Sequence, residues 1–307
     1  ALGATAIPDP TTAGDFCRRF RSVDVDGLQA VINEARKAVW GQQPPEFFQR
    51  TARIDADATI IATTGGCKEG MALSYKGDWG YSALLVTLAN TREPLFLKLF
   101  GANRPSYEGA AAALDQAIAL VISAGFEDVL LRGDTDFSLT AHLDRWDEQG
   151  VRFVFGYDAT KGMNDRADAV PDVEYRELVR QAAMAFEGPR RAHQPRVKEQ
   201  IVRERGYKNL KLRREDVADF EYKPGMADRS YRMVALRKNL TIENGETALF
   251  DDVRYFFYIT NDRDLTAEQV VFEANDRCNQ ENLIEQLKNG VRALHAPVNT
   301  LNANWAY

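Results

Sequence analysis

The sequence predicts an α/β fold, a mixed sheet flanked by helices and interrupted by a β-rich insertion, and three observations carry that expectation. Residues 54–61, 81–88 and 94–100 read as extended segments, and the Gly and Asn punctuation between them, as in Thr64-Gly65-Gly66 and Ala89-Asn90-Thr91, is that of antiparallel hairpins. Helices and strands then alternate: helix 107–124, strand 128–131, helix 139–149, strand 151–155. A last helix, 266–288, has Asp264 or Thr266 as N-cap and Gly290 as its stop, and it comes only after a long interval of different character.

Three strands, helix, strand, helix, strand and a final helix is the element order of an RNase H-like core. The chain therefore divides into a helical segment over 1–50, a core over 51–157 and 262–307, and an insertion over 158–261. In the first segment, helices over 15–20 and 27–40 are expected, the second packing through Leu28, Val31, Ile32 and Ala35. Within the insertion, a helix over 173–186 leads to a Pro- and Arg-containing linker at 188–195, and alternating stretches at 218–222, 231–237 and 253–259 read as strands.

Composition narrows the function classes. A hydrophobic content of 45% suits a well-developed core, and a formal net charge of -6 argues against nonspecific coating of nucleic acid. The positive charge is local instead: residues 189–214 hold ten Lys or Arg against two Glu, which suits a phosphate-facing surface as well as an ordinary solvated face. Cys17, Cys67 and Cys278 form neither a CxxC pair nor a disulfide framework, which fits a reducing cytoplasm. His142, His193 and His295 are too scattered for a metal triad. The Ala-rich run 109–126 is interrupted by Asp115 and reads as a core helix, not a membrane span. The chain starts at Ala1 without a signal-peptide pattern and stops at Trp305-Ala306-Tyr307 inside a continuing apolar pattern, so both ends read as truncated.

Three carboxylates stand out by placement. In Ile54-Asp55-Ala56-Asp57-Ala58-Thr59, period-two alternation sets Asp55 and Asp57 on one face and the alanines on the other. Asp134 follows the fourth strand, which neighbours the first in sheets of this type, so Asp57 and Asp134 converge at one edge of a cleft. Glu281 lies on the last helix in a stripe with Arg277, Ile284 and Lys288. Taken singly, each acid is more often a solvated surface residue; the joint placement is what points to a site. Hard oxygen donors of this kind suit Mg2+ or Mn2+, and two such ions would serve an in-line phosphoryl displacement, with Arg277 and Lys288 holding the DNA backbone beside them. Asp136 reads as a helix cap. Glu285, one turn past Glu281, reads as a partner of Lys288.

The blocks Leu131-Arg132-Gly133-Asp134-Thr135-Asp136-Phe137 and Asp276-Arg277-Cys278-Asn279-Gln280-Glu281 through Lys288 resemble those of insertion-sequence DDE transposases, nearest the group numbered thirteen-eighty. The resemblance spans nearly the whole chain, including the 255–262 strand. It implies an RNase H-like fold with a β-strand insertion between the second and third acids, and a signature of Tyr, two residues, Arg, three residues, Glu, six residues, Lys. Arg277, Glu281 and Lys288 match in register, while Ala274 stands at the Tyr position. An Asp-x-Thr pattern implies Asp57-Ala58-Thr59 for the first acid, with Asp55 as runner-up or as a residue that orients the site. It further implies a homodimer bridging transposon ends, acting on terminal inverted repeats and target DNA in a bacterial cytoplasm, at the nucleoid when bound. The alternatives are an RNase H-like nuclease without strand transfer and an inactive or domesticated DNA-binding remnant.

Overall fold

The computed structural model describes residues 9–180, 208–244 and 247–307. Its central strand is β1 (Ala52–Ala62), which carries Ile54 and Ala56 fully buried on one face and Asp55 on the other. On one side β1 pairs antiparallel with β3 (Trp79–Leu88), which in turn pairs with β4 (Glu93–Gly101) and, at its start, with the short β2 (Ala72–Leu73). On its other side β1 pairs parallel with β5 (Val129–Gly133), and β5 pairs parallel with β6 (Arg152–Tyr157). The path β4-β3-β1-β5-β6 is the mixed sheet expected from the element order.

The sheet does not stop at the expected start of the insertion. β10 (Thr247–Thr260) pairs antiparallel with β6, and β9 (Tyr231–Asn244), β8 (Lys208–Tyr222) and β7 (Arg176–Glu177) follow outward in that order. The insertion strands are thus longer than the sequence pattern indicates and continue the core sheet. Where they cross the core, as at Phe257 and Ile259, the alternating apolar residues are buried, whereas beyond it Leu210 and Leu212 of β8 alternate on an exposed face.

α3 (Ala110–Ala124) covers one face of the sheet. It buries Ala110, Ala113, Leu114, Ala117 and Val121, a helical stripe, against Ile54, Ala56, Leu131 and Phe153. It ends where Gly125 takes φ 114°, a left-handed C-cap. Asp115, the break in its apolar run, accepts from Trp146 Nε1 at 2.9 Å, which satisfies the indole of a fully buried ring on α4 (Leu143–Glu148).

The opposite face is covered by α6 (Ala267–Asn275), whose Val270 and Val271 pack on Leu130, Val154 and Val234, and by α7 (Cys278–Glu285). Among the described residues no helix is long and apolar enough to cross a membrane.

Three expectations are corrected. The stripe Leu28, Val31 and Ile32 of α2 (Ser22–Trp40) is exposed, and the helix, which follows α1 (Pro10–Cys17), docks through buried Val25 and Trp40 and a polar stripe between them. Gln29 Oε1 accepts from Leu97 N at 2.7 Å, Asn33 Nδ2 donates to Leu95 O at 3.2 Å and Arg36 Nη2 to Pro94 O at 2.7 Å. The outer edge of β4 offers unpaired backbone groups, and satisfying them outweighs burying three aliphatic side chains.

Next, the helix expected over 173–186 is absent from its described part. A single 3-10 turn at Asp172–Glu174 leads into β7, whose Arg176 pairs with Val217 of β8. Edge pairing takes precedence over helical periodicity there; 181–186, the 188–195 linker and the basic run up to residue 207 lie outside the described residues. A helix not expected, α5 (Lys161–Asp168), precedes this segment, capped by the Thr160 side chain and burying only Met163 and Ala167.

Finally, the expected helix over 266–288 is three pieces: α6, then α7, then a π-helical turn at Gln286–Gly290. Thr266 caps α6 in a capping box with Gln269. The break falls at Asp276 and Arg277, where an ion network described below takes hold of the chain.

Candidate active site

The site assembles on the face of β1 opposite α3. Along it run Arg53, Asp55, Asp57 and Thr59, and each meets a different part of the late helices. Arg53 forms a bidentate pair with Glu273 of α6, at 3.0 and 2.6 Å. The backbone oxygen of Asp55 accepts from Gln280 Nε2 of α7 at 3.2 Å. Thr59 Oγ1 accepts from Lys288 Nζ at 2.5 Å, and Ile60 O from the same group at 3.1 Å.

Asp57 lies between these anchors, half-buried, with Oδ1 accepting from Ala58 N at 2.7 Å. Burial pushes its carboxyl up to about 6 from 3.8; Ala58 N and the Arg277 guanidinium oppose that rise, and the negative charges of Asp134 and Glu281 add to it. The charges of Asp134, Glu281 and Arg277 thus act on Asp57, although these residues come from beyond β5 and from the stretch 277–281.

Asp134 follows β5 and caps the 3-10 turn Thr135–Phe137, its Oδ1 accepting from Asp136 N at 3.0 Å. The capping role expected of Asp136 thus belongs to Asp134. The surrounding protein raises the Asp134 carboxyl despite its opening to solvent, Arg277 and Asp136 N lower it, and Asp136 and Asp158 raise it further. Phe137, fully buried, fastens the turn.

Gly156 of β6 allows the turn to lie where it does. A Cβ there would fall 2.8 Å from Thr135 N and 3.0 Å from the carbonyl carbon of Asp134, closer than backbone tolerates. Gly156→Ala is accordingly expected to displace the turn that carries Asp134, read as faster amide hydrogen exchange at 134–138.

Asp134, Arg277 and Glu281 line a cavity of about 420 Å³ whose other walls include Tyr157, Tyr258 and Ala274. Asp57 is not on its wall and reaches the cluster from the β1 side. Arg277 Nε is buried without a hydrogen-bond partner among the described residues. Asp55, the alternative first acid, is fully committed elsewhere: both its oxygens are held by the buried guanidinium of Arg132, at 2.6 and 2.9 Å.

Among the described residues no three His, Cys, Asp or Glu side chains are gathered closely enough to hold one metal ion together. The donor set itself is right for a hard divalent cation, which would favour the charged form of a carboxyl that burial, with a smaller part from Asp134 and Glu281, pushes up. As placed here, the acids do not form a three-carboxylate cage.

The family model for transposase DDE domain group 1 matches residues 10–306. The chain belongs to this family. Within the DDE transposase domain, a solved structure described as a piggyBac transposase synaptic complex with hairpin DNA aligns over 84% of this chain and 46% of its own, at 10% sequence identity and a TM-score of 0.40. The chain thus spans about half the length of that transposase. No curated protein matches the sequence.

Sequence reasoning passed over Arg132, Gln280 and Glu273, which bind residues of β1. A signal was present for the first: a lone cation in the apolar strand Val129-Leu130-Leu131-Arg132-Gly133, two residues before Asp134. The other two read as ordinary polar helix positions, and only the fold shows them reaching β1.

Proposed function

We propose that the chain is the catalytic domain of a DNA transposase that cuts transposon ends and joins the freed 3′ end to target DNA, with Asp57, Asp134 and Glu281 as its acids. The observation that carries this reading is the cavity that Asp134, Arg277 and Glu281 line together, beside the strand that bears Asp57, in a member of the DDE transposase family. Two Mg2+ ions, or Mn2+ in their place, would be the cofactor, and Asp57, Asp134 and Glu281 would hold them. When bound, such ions polarise the scissile phosphate and make water or a 3′-hydroxyl a competent nucleophile.

The remaining steps fall to the chain itself. Asp57, whose carboxyl burial pushes up, would offer its charged form to a bound cation. Arg277, which lines the same cavity as Asp134 and Glu281, meets a phosphate oxygen and fixes the backbone for in-line attack. Lys288, drawn onto Thr59 and Ile60 at the base of the same face, adds positive charge next to Asp57 and supports the backbone from below. The register of Arg277, Glu281 and Lys288 supports a place in the insertion-sequence group numbered thirteen-eighty, and two copies bridging paired transposon ends form the working complex.

Labelled donor ends mixed with a supercoiled plasmid test the reading. Cuts together with joined products are expected, and cuts without joining would assign a nuclease. Arg277→Ala is expected to weaken binding of end DNA about tenfold and to reduce the salt slope by roughly 0.9, one phosphate contact, in anisotropy titrations; Lys288→Ala acts in the same direction.

A further inference from the structure

A fully buried arginine is unusual enough to require a reason, and Arg132 is among the largest fully buried side chains of this chain. Its fork grips Asp55, its register neighbour on β1, through Nε at 2.6 Å and Nη2 at 2.9 Å. Its third nitrogen turns the other way, to the late helices: Nη1 donates to Glu273 O and Oε2, both at 3.2 Å, and lies 3.4 Å from Asp276 Oδ2. Glu273 is held in turn by Arg53, and Asp55 O by Gln280. One guanidinium thereby ties β1, β5, the end of α6 and, through Asp55, α7.

The members of this network are the chain neighbours of the cleft residues. Asp55 precedes Asp57 by two positions, Arg132 precedes Asp134 by two, Asp276 adjoins Arg277 and Gln280 adjoins Glu281. The break between α6 and α7 also falls where Arg132 engages Glu273 O and Asp276, so the network fixes the angle at which Arg277 and Glu281 enter the cleft. Stability alone does not account for such an arrangement, because a buried ion pair is commonly replaceable by packed apolar side chains at no cost.

We propose that Arg132 is a positioning residue of the active site, holding the strand that bears Asp57, the turn that bears Asp134 and the helices that bear Arg277 and Glu281 in one mutual register. The proposal deepens the transposase reading and rests on it for its cleavage readout.

The test uses Arg132→Lys, which keeps the charge and loses the fork, and the apolar pair Asp55→Leu with Arg132→Met. Each is measured for melting temperature, end-DNA binding, the Mg2+ dependence of cleavage, and amide hydrogen exchange. The apolar pair is expected to melt within a few degrees of the parent and to bind end DNA within about threefold, yet to cleave about a hundredfold more slowly with a raised Mg2+ half-saturation. Arg132→Lys is expected to lose about tenfold. In both, faster exchange is expected at 134–138 and 278–285, with 231–244 unchanged.

Should the apolar pair fail to fold, Arg132→Lys carries the test alone. Cleavage within threefold of the parent with unaltered exchange at both segments overturns the proposal, and so does loosening spread evenly over the whole sheet, which marks a general structural role. If the parent itself cuts no end DNA, the transposase reading fails, while the exchange pattern still decides the role of Arg132.

Discussion

Asp57→Ala, Asp134→Ala and Glu281→Ala are each expected to reduce Mg2+-dependent cleavage of end DNA by roughly 10³-fold or more while leaving DNA binding largely intact. Each removes one carboxylate from a cluster in which no three donors are gathered around a single ion among the described residues, so none has a spare to replace it. The losses are non-additive: the double variant Asp57→Ala/Glu281→Ala falls no further than the worse single one, because the acids act as a unit. Glu285→Gln is the control. Glu285 accepts from Asn289 Nδ2 at 2.6 Å at the end of α7, and its loss is expected to change cleavage little. Single-turnover cleavage rates at saturating Mg2+ measure all of these, and full activity in any of the three alanine variants removes that residue from the site.

The second large effect is on stability. Asp57 titrates at about 6 in the fold and near its ordinary 3.8 when unfolded, because burial and two nearby carboxylates disfavour its charge. Between those values the native chain binds more protons than the unfolded one, so the contribution of this residue to stability falls as pH rises through that window. The penalty is absent below about pH 4 and complete above about pH 6. Asp57→Asn keeps an oxygen for Ala58 N and removes the charge. Without divalent ions it should be more stable than the parent by about 2 kcal/mol at pH 7.5, a figure reduced from the full shift because the group is partly exposed, and the gain should vanish at pH 4. Added Mg2+ should stabilise the parent and not the variant, closing the gap. Denaturant melts at the two pH values, with and without Mg2+, read this out; a variant equal to the parent at both would show that Asp57 stands alone.

Much of this site is legible in sequence because its residues break a local rule. Asp55 and Asp57 are charges in a strand whose other face is Ile54, Ala56 and Ala58, and Arg132 is a cation among apolar strand residues; neither arrangement forms without partners elsewhere. The parallel pairing of β1 with β5 follows from element order, and with it the approach of Asp57 to Asp134. What periodicity misleads about is docking. Leu28, Val31 and Ile32 have the spacing of a buried stripe and are exposed, because the edge of β4 recruits Gln29, Asn33 and Arg36. The last helix looks continuous because its breaking agent is the tertiary contact of Arg132 with Glu273 and Asp276, which no local propensity encodes. Asp55 shows the same limit: spacing makes it equal to Asp57, and only its pairing with Arg132 separates a held carboxylate from a free one.

Fe2+ in place of Mg2+, with added hydrogen peroxide and ascorbate, offers the most direct measurement of whether three remote acids meet at shared ions, since hydroxyl radicals formed as a bound Fe2+ reduces peroxide cut the polypeptide close by. The expected result is backbone cutting near residues 57, 134 and 281 in the same molecule, suppressed by excess Mg2+ and abolished in Asp57→Ala. Cutting confined to one of those segments, or unaffected by Asp57→Ala, would contradict the account.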